Sequence, residues 1–484
     1  MRLAVVVNLL SVVLVVFAAA MLAPLGVSLY LGDGAQRAYD IAILATAFAG
    51  AAGYLATRSR PRELQTRDGF LFVALVWTVL PAFGALPLLA YIPGLSLTDA
   101  YFEAMSGLTA TGATVLTGLD GLPPSINFWR CALQWLGGMG VIVLAVAVLP
   151  LLGVGGRQLL KAETPGPMKE SQLTPRITET AKGLWLVYAG LTAACALAYR
   201  WSGMEWLEAV MHAFSTLSLG GFSSHDISFA YWNSPALEAV AVTFMLLAGI
   251  NFVTHFAVVH RRSLAPYRRD TEAKFYLLLL LSSIAAIALF LWANGVYDKP
   301  LTALRHAAFN VVSVATTTGY ATVDYATWPI FAPLWMLFIA GFATCSGSTG
   351  GGIKMMRALL MFQQAVRELE RLVHPRAVTP VKLGGQVVEN RIIFAVLAYM
   401  LVYGATLAAI TLLLSATGLD FLTAVSAATA LVNNVGPGLG QVGPVETYAL
   451  LTDLQTWIGT IAMLLGRLEL LTVFVLLTPA FWRR

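Results

Sequence analysis

The sequence predicts an all-α integral membrane protein, with ten transmembrane helices and four shorter, re-entrant helices between them. Three observations predict it. Of 484 residues, 58% are hydrophobic and only 11% charged, with a mean hydropathy of +0.75. A soluble chain carries roughly 25% charged residues, so too little polar material is present to coat a surface in water. A cytosolic enzyme, a secreted disulfide scaffold and a disordered protein are thereby excluded. Second, ten apolar stretches reach the about 20 residues that a helix needs to cross hydrocarbon. Third, one short motif ending in glycine recurs four times between these stretches.

The ten stretches are 4–30, 38–57, 70–91, 126–152, 183–201, 236–260, 274–294, 329–360, 391–415 and 450–480. The first follows Met1-Arg2 and is longer than a signal-peptide core, so it reads as a retained span. Basic residues fix the orientation. Residues 58–67, 157–182, 261–274 and 354–391, together with Arg2, Arg483 and Arg484, hold 24 of the 30 Lys and Arg, whereas 91–129 and 417–456 hold none. Both termini and the basic loops are therefore expected in the cytoplasm. The net charge of +5 reflects this topology and not a nucleic-acid partner. The long basic segments 153–182 and 361–390 are candidate docking surfaces. Cys131, Cys195 and Cys345 are odd in number and match neither a disulfide framework nor a zinc site.

The four motif copies read Ser106-x-x-Thr109-Ala110-Thr111-Gly112, Ser215-x-x-Ser218-Leu219-Gly220-Gly221, Ser313-x-x-Thr316-Thr317-Thr318-Gly319 and Ala430-x-x-Asn433-Asn434-Val435-Gly436. Their last glycines lie 109, 98 and 117 residues apart. Each interval contains one outgoing helix, one basic loop and one returning helix. Internal symmetry of this kind is common in membrane transporters. Before each glycine stand roughly 10–14 helix-compatible residues, too few to span and long enough to re-enter. A short helix entering from outside points its C-terminus, with about half a negative charge, toward the membrane middle. Peptide units beyond it can turn carbonyls inward and replace an ion's hydration shell, a geometry that glycine permits. Irregular backbone at this depth must line a cavity or be buried in protein. Four copies in a ring would suit a dehydrated alkali cation. Asp99, Glu205 and Asp420 stand where acids favour helix starts, and Pro300 suits a first turn.

These segments resemble the Trk/Ktr/HKT superfamily of potassium transporters over essentially the whole chain. The resemblance is carried by Leu108-Thr-Ala-Thr-Gly-Ala-Thr114, Ser215-Thr-Leu-Ser-Leu-Gly-Gly-Phe222, Ala315-Thr-Thr-Thr-Gly-Tyr320 and Asn433-Asn-Val-Gly-Pro-Gly438. Further matches are Gln134-Trp-Leu-Gly-Gly-Met-Gly140, Ser346-Gly-Ser-Thr-Gly-Gly-Gly-Ile-Lys354 and Gly466-Arg-Leu-Glu469. The extra N-terminal pair of spans looks like the TrkH branch, not the shorter Ktr branch. The resemblance implies an N-terminal extension (1–60) and four helix–pore helix–filter–helix repeats (61–160, 161–265, 266–375 and 376–484) around one pore. It implies that each filter uses carbonyls of the glycine and the two residues before it: Ala110, Thr111 and Gly112; Leu219, Gly220 and Gly221; Thr317, Thr318 and Gly319; Asn434, Val435 and Gly436. In plant relatives a serine at the first filter glycine goes with sodium selectivity; here Gly112 keeps the potassium expectation. The resemblance further implies a bacterial inner-membrane homodimer, associated with a cytosolic nucleotide-binding regulatory subunit of the TrkA type. The chain has no Rossmann or Walker motif, so no nucleotide is expected on it; K+ is the expected ion and membrane lipids its surroundings.

The span 329–360 is interrupted by Gly341-Phe-Ala-Thr-Cys-Ser-Gly-Ser-Thr-Gly-Gly-Gly352, with four glycines between 347 and 352. Each costs a helix about 1 kcal/mol relative to alanine. A flexible gate below the filter is the expectation, built from Thr344, Cys345, Ser346, Gly347, Ser348, Thr349, Gly350, Gly351 and Gly352, with Lys354 beyond it. A passive hinge is the alternative; a phosphate-cradling loop lacks the required spacing and preceding strand. Arg467 is the one strong base in the last span, where mid-membrane placement costs about 2.5–3.5 kcal/mol. It is expected to face inward and bond carbonyls of loop 344–351, holding the gate closed; snorkelling or pairing with Glu469 is the alternative. His225-Asp226 reads as a hydrogen-bonding pair of the outer vestibule. Gly137-Gly-Met-Gly140 reads as a close-packing stretch. Trp77, Trp129, Trp201, Trp232 and Trp328 read as interfacial anchors.

The function expected is potassium uptake through one pore, with ion-coupled symport by alternating access as the alternative. An enzyme would need a convergent nucleophile and base, and Cys345 and Ser346 have no His or acid near them in sequence.

Overall fold

A computed structural model describes residues 3–58, 65–148, 177–384, 386–468 and 470–483. The basic loop 157–182, for the most part, and Glu469 lie outside the described residues. Helices dominate. The strands among the described residues are Lys382–Leu383 and Gln386–Val387, an antiparallel pair turning at Gly384 with φ +57°. This small hairpin departs from the all-α expectation. It forms because alternation puts Val381, Leu383 and Val388 into one cluster with Met356, Leu360, Ile393 and Val396.

Among the described residues, six helices are long and apolar enough to cross a membrane: Leu3–Leu31, Gln36–Thr57, Arg67–Tyr91, Lys182–Trp201, Thr271–Ala293 and Asn390–Ala416. The chain is a multi-pass membrane protein. Pro235–Ala248 and Phe252–Arg261, bent by 93° at the break, make a seventh span if taken as one. Of three further expected spans, two differ from simple rods. Pro124–Val148 covers 126–152 as far as the described residues reach. The 329–360 stretch is a ten-residue helix, Phe331–Ala340, then a loop, then Met355–Val373. Arg357, Arg367, Glu368, Glu370 and Arg371 make that last helix amphipathic and unsuited to spanning. The 450–480 stretch divides into Asp453–Arg467 and Leu471–Leu476.

Four short helices lie between the long ones: Leu97–Leu108, Trp206–Ser218, Pro300–Ala315 and Phe421–Val432. Their starts are capped in different ways. The Ser96 and Asp420 side chains accept from Asp99 N and Thr423 N, each at 3.0 Å. Pro300 opens the third helix, and Glu205 holds the capping position of the second without a side-chain bond. Each short helix is wedged between two inner helices, and the contacts close into a cycle. The first touches Asp453–Arg467 and Pro124–Val148; the second touches Pro124–Val148 and Pro235–Ala248; the third touches Pro235–Ala248 and Phe331–Ala340; the fourth touches Phe331–Ala340 and Asp453–Arg467. All four therefore end inside protein, where their last carbonyls need partners.

The tryptophans correct one expectation. Trp201 is exposed, but Trp77, Trp129 and Trp328 are buried, and Trp129 Nε1 donates to the Gly84 carbonyl at 2.9 Å. They pack the interior and do not anchor an interface.

Candidate functional site

All four short helices stop in the same way. Thr111 N, Gly220 N, Thr318 N and Val435 N donate to the carbonyls of Ser106, Ser215, Ser313 and Ala430 at 2.9, 2.9, 2.8 and 2.7 Å. Ala110, Leu219, Thr317 and Asn434, one residue earlier, donate to Gly107, Thr216, Val314 and Leu431 at 2.9, 3.2, 3.0 and 3.2 Å. This is the pair of bonds of a Schellman cap, which requires a left-handed residue. That residue has φ of +51° at Ala110, +55° at Leu219, +63° at Thr317 and +55° at Asn434. Only asparagine among these is at ease there; a β-branched threonine is an outlier. Such a conformation costs about 1–3 kcal/mol and persists where the surroundings over-determine it.

Two residues on, the glycines return to positive φ: +83° at Gly112, +78° at Gly221, +88° at Gly319 and +94° at Gly436. Neighbouring copies explain why no side chain is allowed. A Cβ on Gly112 would overlap the Gly220 carbonyl oxygen, one on Gly221 that of Thr318, and one on Gly319 that of Val435. A Cβ on Gly436 would lie 2.6 Å from the Thr111 oxygen. The four contacts run copy one to two, two to three, three to four and four back to one. In each the same atom takes part, the carbonyl oxygen of the residue preceding the glycine. Four equivalent oxygens thus sit in a closed ring of turns from four distant parts of the chain.

The glycine loop lies against the ends of the short helices. Thr349 Oγ1 donates to the Leu217 carbonyl at 2.9 Å, and Gly351 N donates to Thr317 Oγ1 at 2.9 Å. A Cβ on Gly350 would stand 3.0 Å from the Thr316 oxygen, and one on Gly351 would overlap that of Asn433. The loop therefore touches the second, third and fourth copies. Within it, Thr344 Oγ1 donates to the Gly351 carbonyl at 2.9 Å and Lys354 Nζ to that of Gly350. Arg467 reaches it from the end of Asp453–Arg467: Nη1 donates to the Thr349 carbonyl at 2.8 Å, while Nη2 donates to Gly137 at 2.7 Å and Gly138 at 3.2 Å. Its guanidinium also lies 5.6 Å from the centre of the Trp77 ring. The loop's far side is bonded to the bend at 249–251: Cys345 N donates to the Gly249 carbonyl, and Phe252 N to that of Gly347, each at 3.0 Å.

The TrkH family of cation transport proteins matches residues 35–484. The chain is 48% identical to the Trk system potassium uptake protein TrkH of Halomonas elongata, over 100% of both chains. It is 44% identical to that of Escherichia coli K12, over 98% of both. The crystal structure of the potassium transporter TrkH from Vibrio parahaemolyticus superposes with a TM-score of 0.91 at 42% identity, covering 100% of each chain. The chain belongs to the TrkH family.

Around the ring, this TrkH family member holds charged groups that no local sequence pattern announces. Glu103 and Arg130 form a buried ion pair at 2.8 Å. Glu103 also accepts from Thr114 Oγ1 and Val115 N at 3.0 Å, and Arg130 donates to the Ser223 carbonyl at 3.1 Å, so the pair ties the first and second copies together. Glu272 Oε1 accepts from Ser346 N at 2.6 Å and Met356 N at 3.0 Å, clasping both ends of the glycine loop. His225 and Asp226 are not each other's partners. His225 Nδ1 meets Asp120, its Nε2 lies 2.8 Å from Glu208 Oε1, and Asp226 accepts from Leu119 N at 3.1 Å. Both ring nitrogens facing carboxylates require the charged imidazolium, the only form with two donors. Burial alone would lower the His225 pKa; the hydrogen bonds to Glu208 and Asp120 outweigh it and hold it above the ordinary value. Gly137 and Gly138 do pack closely: a Cβ on the first would overlap the Leu108 oxygen, and one on the second would lie 2.7 Å from Tyr188 Oη.

Proposed function

We infer that the chain carries potassium into the cell across a bacterial inner membrane, through one pathway lined by the four turns. The observation that carries this is the closed ring of four equivalent carbonyl oxygens, Thr111, Gly220, Thr318 and Val435. Carbonyl oxygens of this kind replace the hydration shell of an alkali cation. The left-handed caps hold them in place before an ion arrives, and four helix C-termini add negative potential. Potassium is the ion named for the relatives. In this reading the filter comprises Ala110, Thr111, Gly112, Leu219, Gly220, Gly221, Thr317, Thr318, Gly319, Asn434, Val435 and Gly436, supplied by four pseudo-symmetric repeats with ten spans in all.

The glycine loop, residues 344–352 with Lys354, is the gate of this pathway. It lies against three of the four helix ends, and Arg467 latches it through Thr349. A guanidinium there also repels cations. Both termini and the basic loops face the cytoplasm, in keeping with the charge asymmetry. A homodimer with a nucleotide-binding partner of the TrkA type follows from the family resemblance, with the nucleotide on the partner. The test is cation-replacement flux in proteoliposomes for the wild type and Gly112→Ser. A side chain at Gly112 meets the Gly220 oxygen, so the variant is expected to lose preference for K+ over Na+. An unchanged ratio in a folded variant overturns the filter.

A further inference from the structure

The four turns share a backbone, but the side chains that brace them from behind are not all alike. In the first, Thr109 Oγ1 donates to the Met105 carbonyl at 2.7 Å and accepts from Thr111 Oγ1 at 2.7 Å. The third repeats this arrangement: Thr316 Oγ1 donates to the Val312 carbonyl and accepts from Thr318 Oγ1, both at 2.7 Å. In the fourth, Asn434 Nδ2 donates to Thr111 Oγ1 at 2.9 Å and to the Met463 carbonyl at 3.0 Å. The second turn has no such means, because Leu219 and Gly220 offer no polar side chain.

Its brace comes from another repeat. Gln134, buried on Pro124–Val148, donates from Nε2 to the Gly220 carbonyl at 2.6 Å and accepts at Oε1 from Phe222 N at 3.0 Å. One amide thus clamps the peptides on both sides of Gly221. The fit is mutual: a Cβ on Gly220 would stand 2.6 Å from Gln134 Oε1 and 2.8 Å from Nε2. Glycine at 220, where the first and third copies have threonine, is the complement of Gln134. The helix bearing Gln134 cannot swing away, since Gly137 and Gly138 press it onto the first and second copies at Leu108 and Ser218.

We propose that Gln134 is a specificity-determining positioning residue, which holds the Gly220 carbonyl in register with its three counterparts and so sets the preference among alkali cations. This rests on the filter reading above. Among the described residues, no hydrogen bond reaches the Thr111, Thr318 or Val435 carbonyls, so Gly220 is the ring oxygen with a donor already on it. A carbonyl has two lone pairs, and the second remains for the ion. Without the donor, nothing behind Gly220, which has no side chain, keeps its peptide from rotating.

The experiment compares K+ and Na+ flux in proteoliposomes for Gln134→Leu, Gly220→Thr and the double variant Gln134→Ala with Gly220→Thr. Gln134→Leu keeps the volume and removes the donor; the K+ to Na+ flux ratio is expected to fall about fivefold, the factor that one neutral hydrogen bond is worth. Gly220→Thr alone collides with Gln134 and loses uptake. The double variant gives the second turn a threonine of its own beside Ser218, as in the first and third copies, and recovers the ratio. A wild-type ratio in Gln134→Leu, or a double variant no better than Gly220→Thr alone, overturns the proposal. Gly112→Ser, measured alongside, separates the two readings. If it shifts the ratio while the Gln134 variants do not, the brace is wrong and the filter stands; if neither shifts it, the filter reading itself has failed.

Discussion

The four turns repeat one backbone conformation with four different sequences, whereas the glycine loop at 341–352 occurs once among the described residues and meets the second copy through one bond and the fourth through one close approach. Ala110, Leu219, Thr317 and Asn434 share no chemistry, yet all adopt left-handed φ and the same two capping bonds. Among the described residues the loop has no counterpart, and its hold on its surroundings is distributed over Arg467, Glu272, Thr317 and the bend at Gly249. If the loop is the gate proposed above, rigidity and mobility have separate origins in this chain. The ring is fixed by backbone geometry that a neighbour's carbonyl enforces at each glycine, with one side chain, Gln134, bracing the second turn. The loop is held by contacts that one substitution can remove.

Variants of the loop should therefore change the rate of transport and leave ion preference alone, and variants of the ring should do the reverse. Arg467→Ala has the largest expected effect of the first kind. It removes a charged hydrogen bond, a class that contributes about 1.5–3 kcal/mol, so basal K+ flux into proteoliposomes should rise roughly tenfold with the K+ to Na+ ratio unchanged. Unchanged flux and regulation would remove the latch. Thr349→Val removes the donor to the Leu217 carbonyl, a neutral bond of about 1 kcal/mol, and should raise flux by a smaller factor. A shifted ion ratio instead would show that the two regions are not separable.

The smallest effect concerns the outer side. His225 carries a raised pKa, so its charged form stabilises the folded state fully below its ordinary value of 6.5, and that contribution fades as pH rises through the raised value. The melting temperature in detergent should be lower for His225→Gln than for the wild type at pH 5.5, and the gap should close toward alkaline pH. A gap independent of pH would mean that His225 stabilises the outer side chiefly by packing against Tyr231, whose ring stacks on it at 3.5 Å between centroids.

The four motif copies are legible in sequence because each is local: a short apolar helix, a polar residue three before a glycine, and a topological position set by flanking spans. Arg467 is legible as a base where hydrocarbon disfavours one. Gln134, Glu103 with Arg130, and Glu272 are not. Their partners lie 86, 27 and 74 residues away, and one polar residue on an apolar helix does not announce which turn it meets. The expected pairing of His225 with Asp226 fails for the same reason: neighbours in sequence need not face each other in space, and Asp120 from the first copy occupies that place. The 329–360 stretch misleads differently, since its apolar start conceals a charged, amphipathic continuation after the glycines.

If four carbonyl oxygens from one chain jointly replace water around an alkali ion, the ion itself should be visible among them. Anomalous scattering from the protein crystallised in rubidium provides that view. A peak enclosed by the Thr111, Gly220, Thr318 and Val435 oxygens is predicted, weakened in Gly112→Ser. Rubidium bound elsewhere along the chain, with that ring empty, would contradict it.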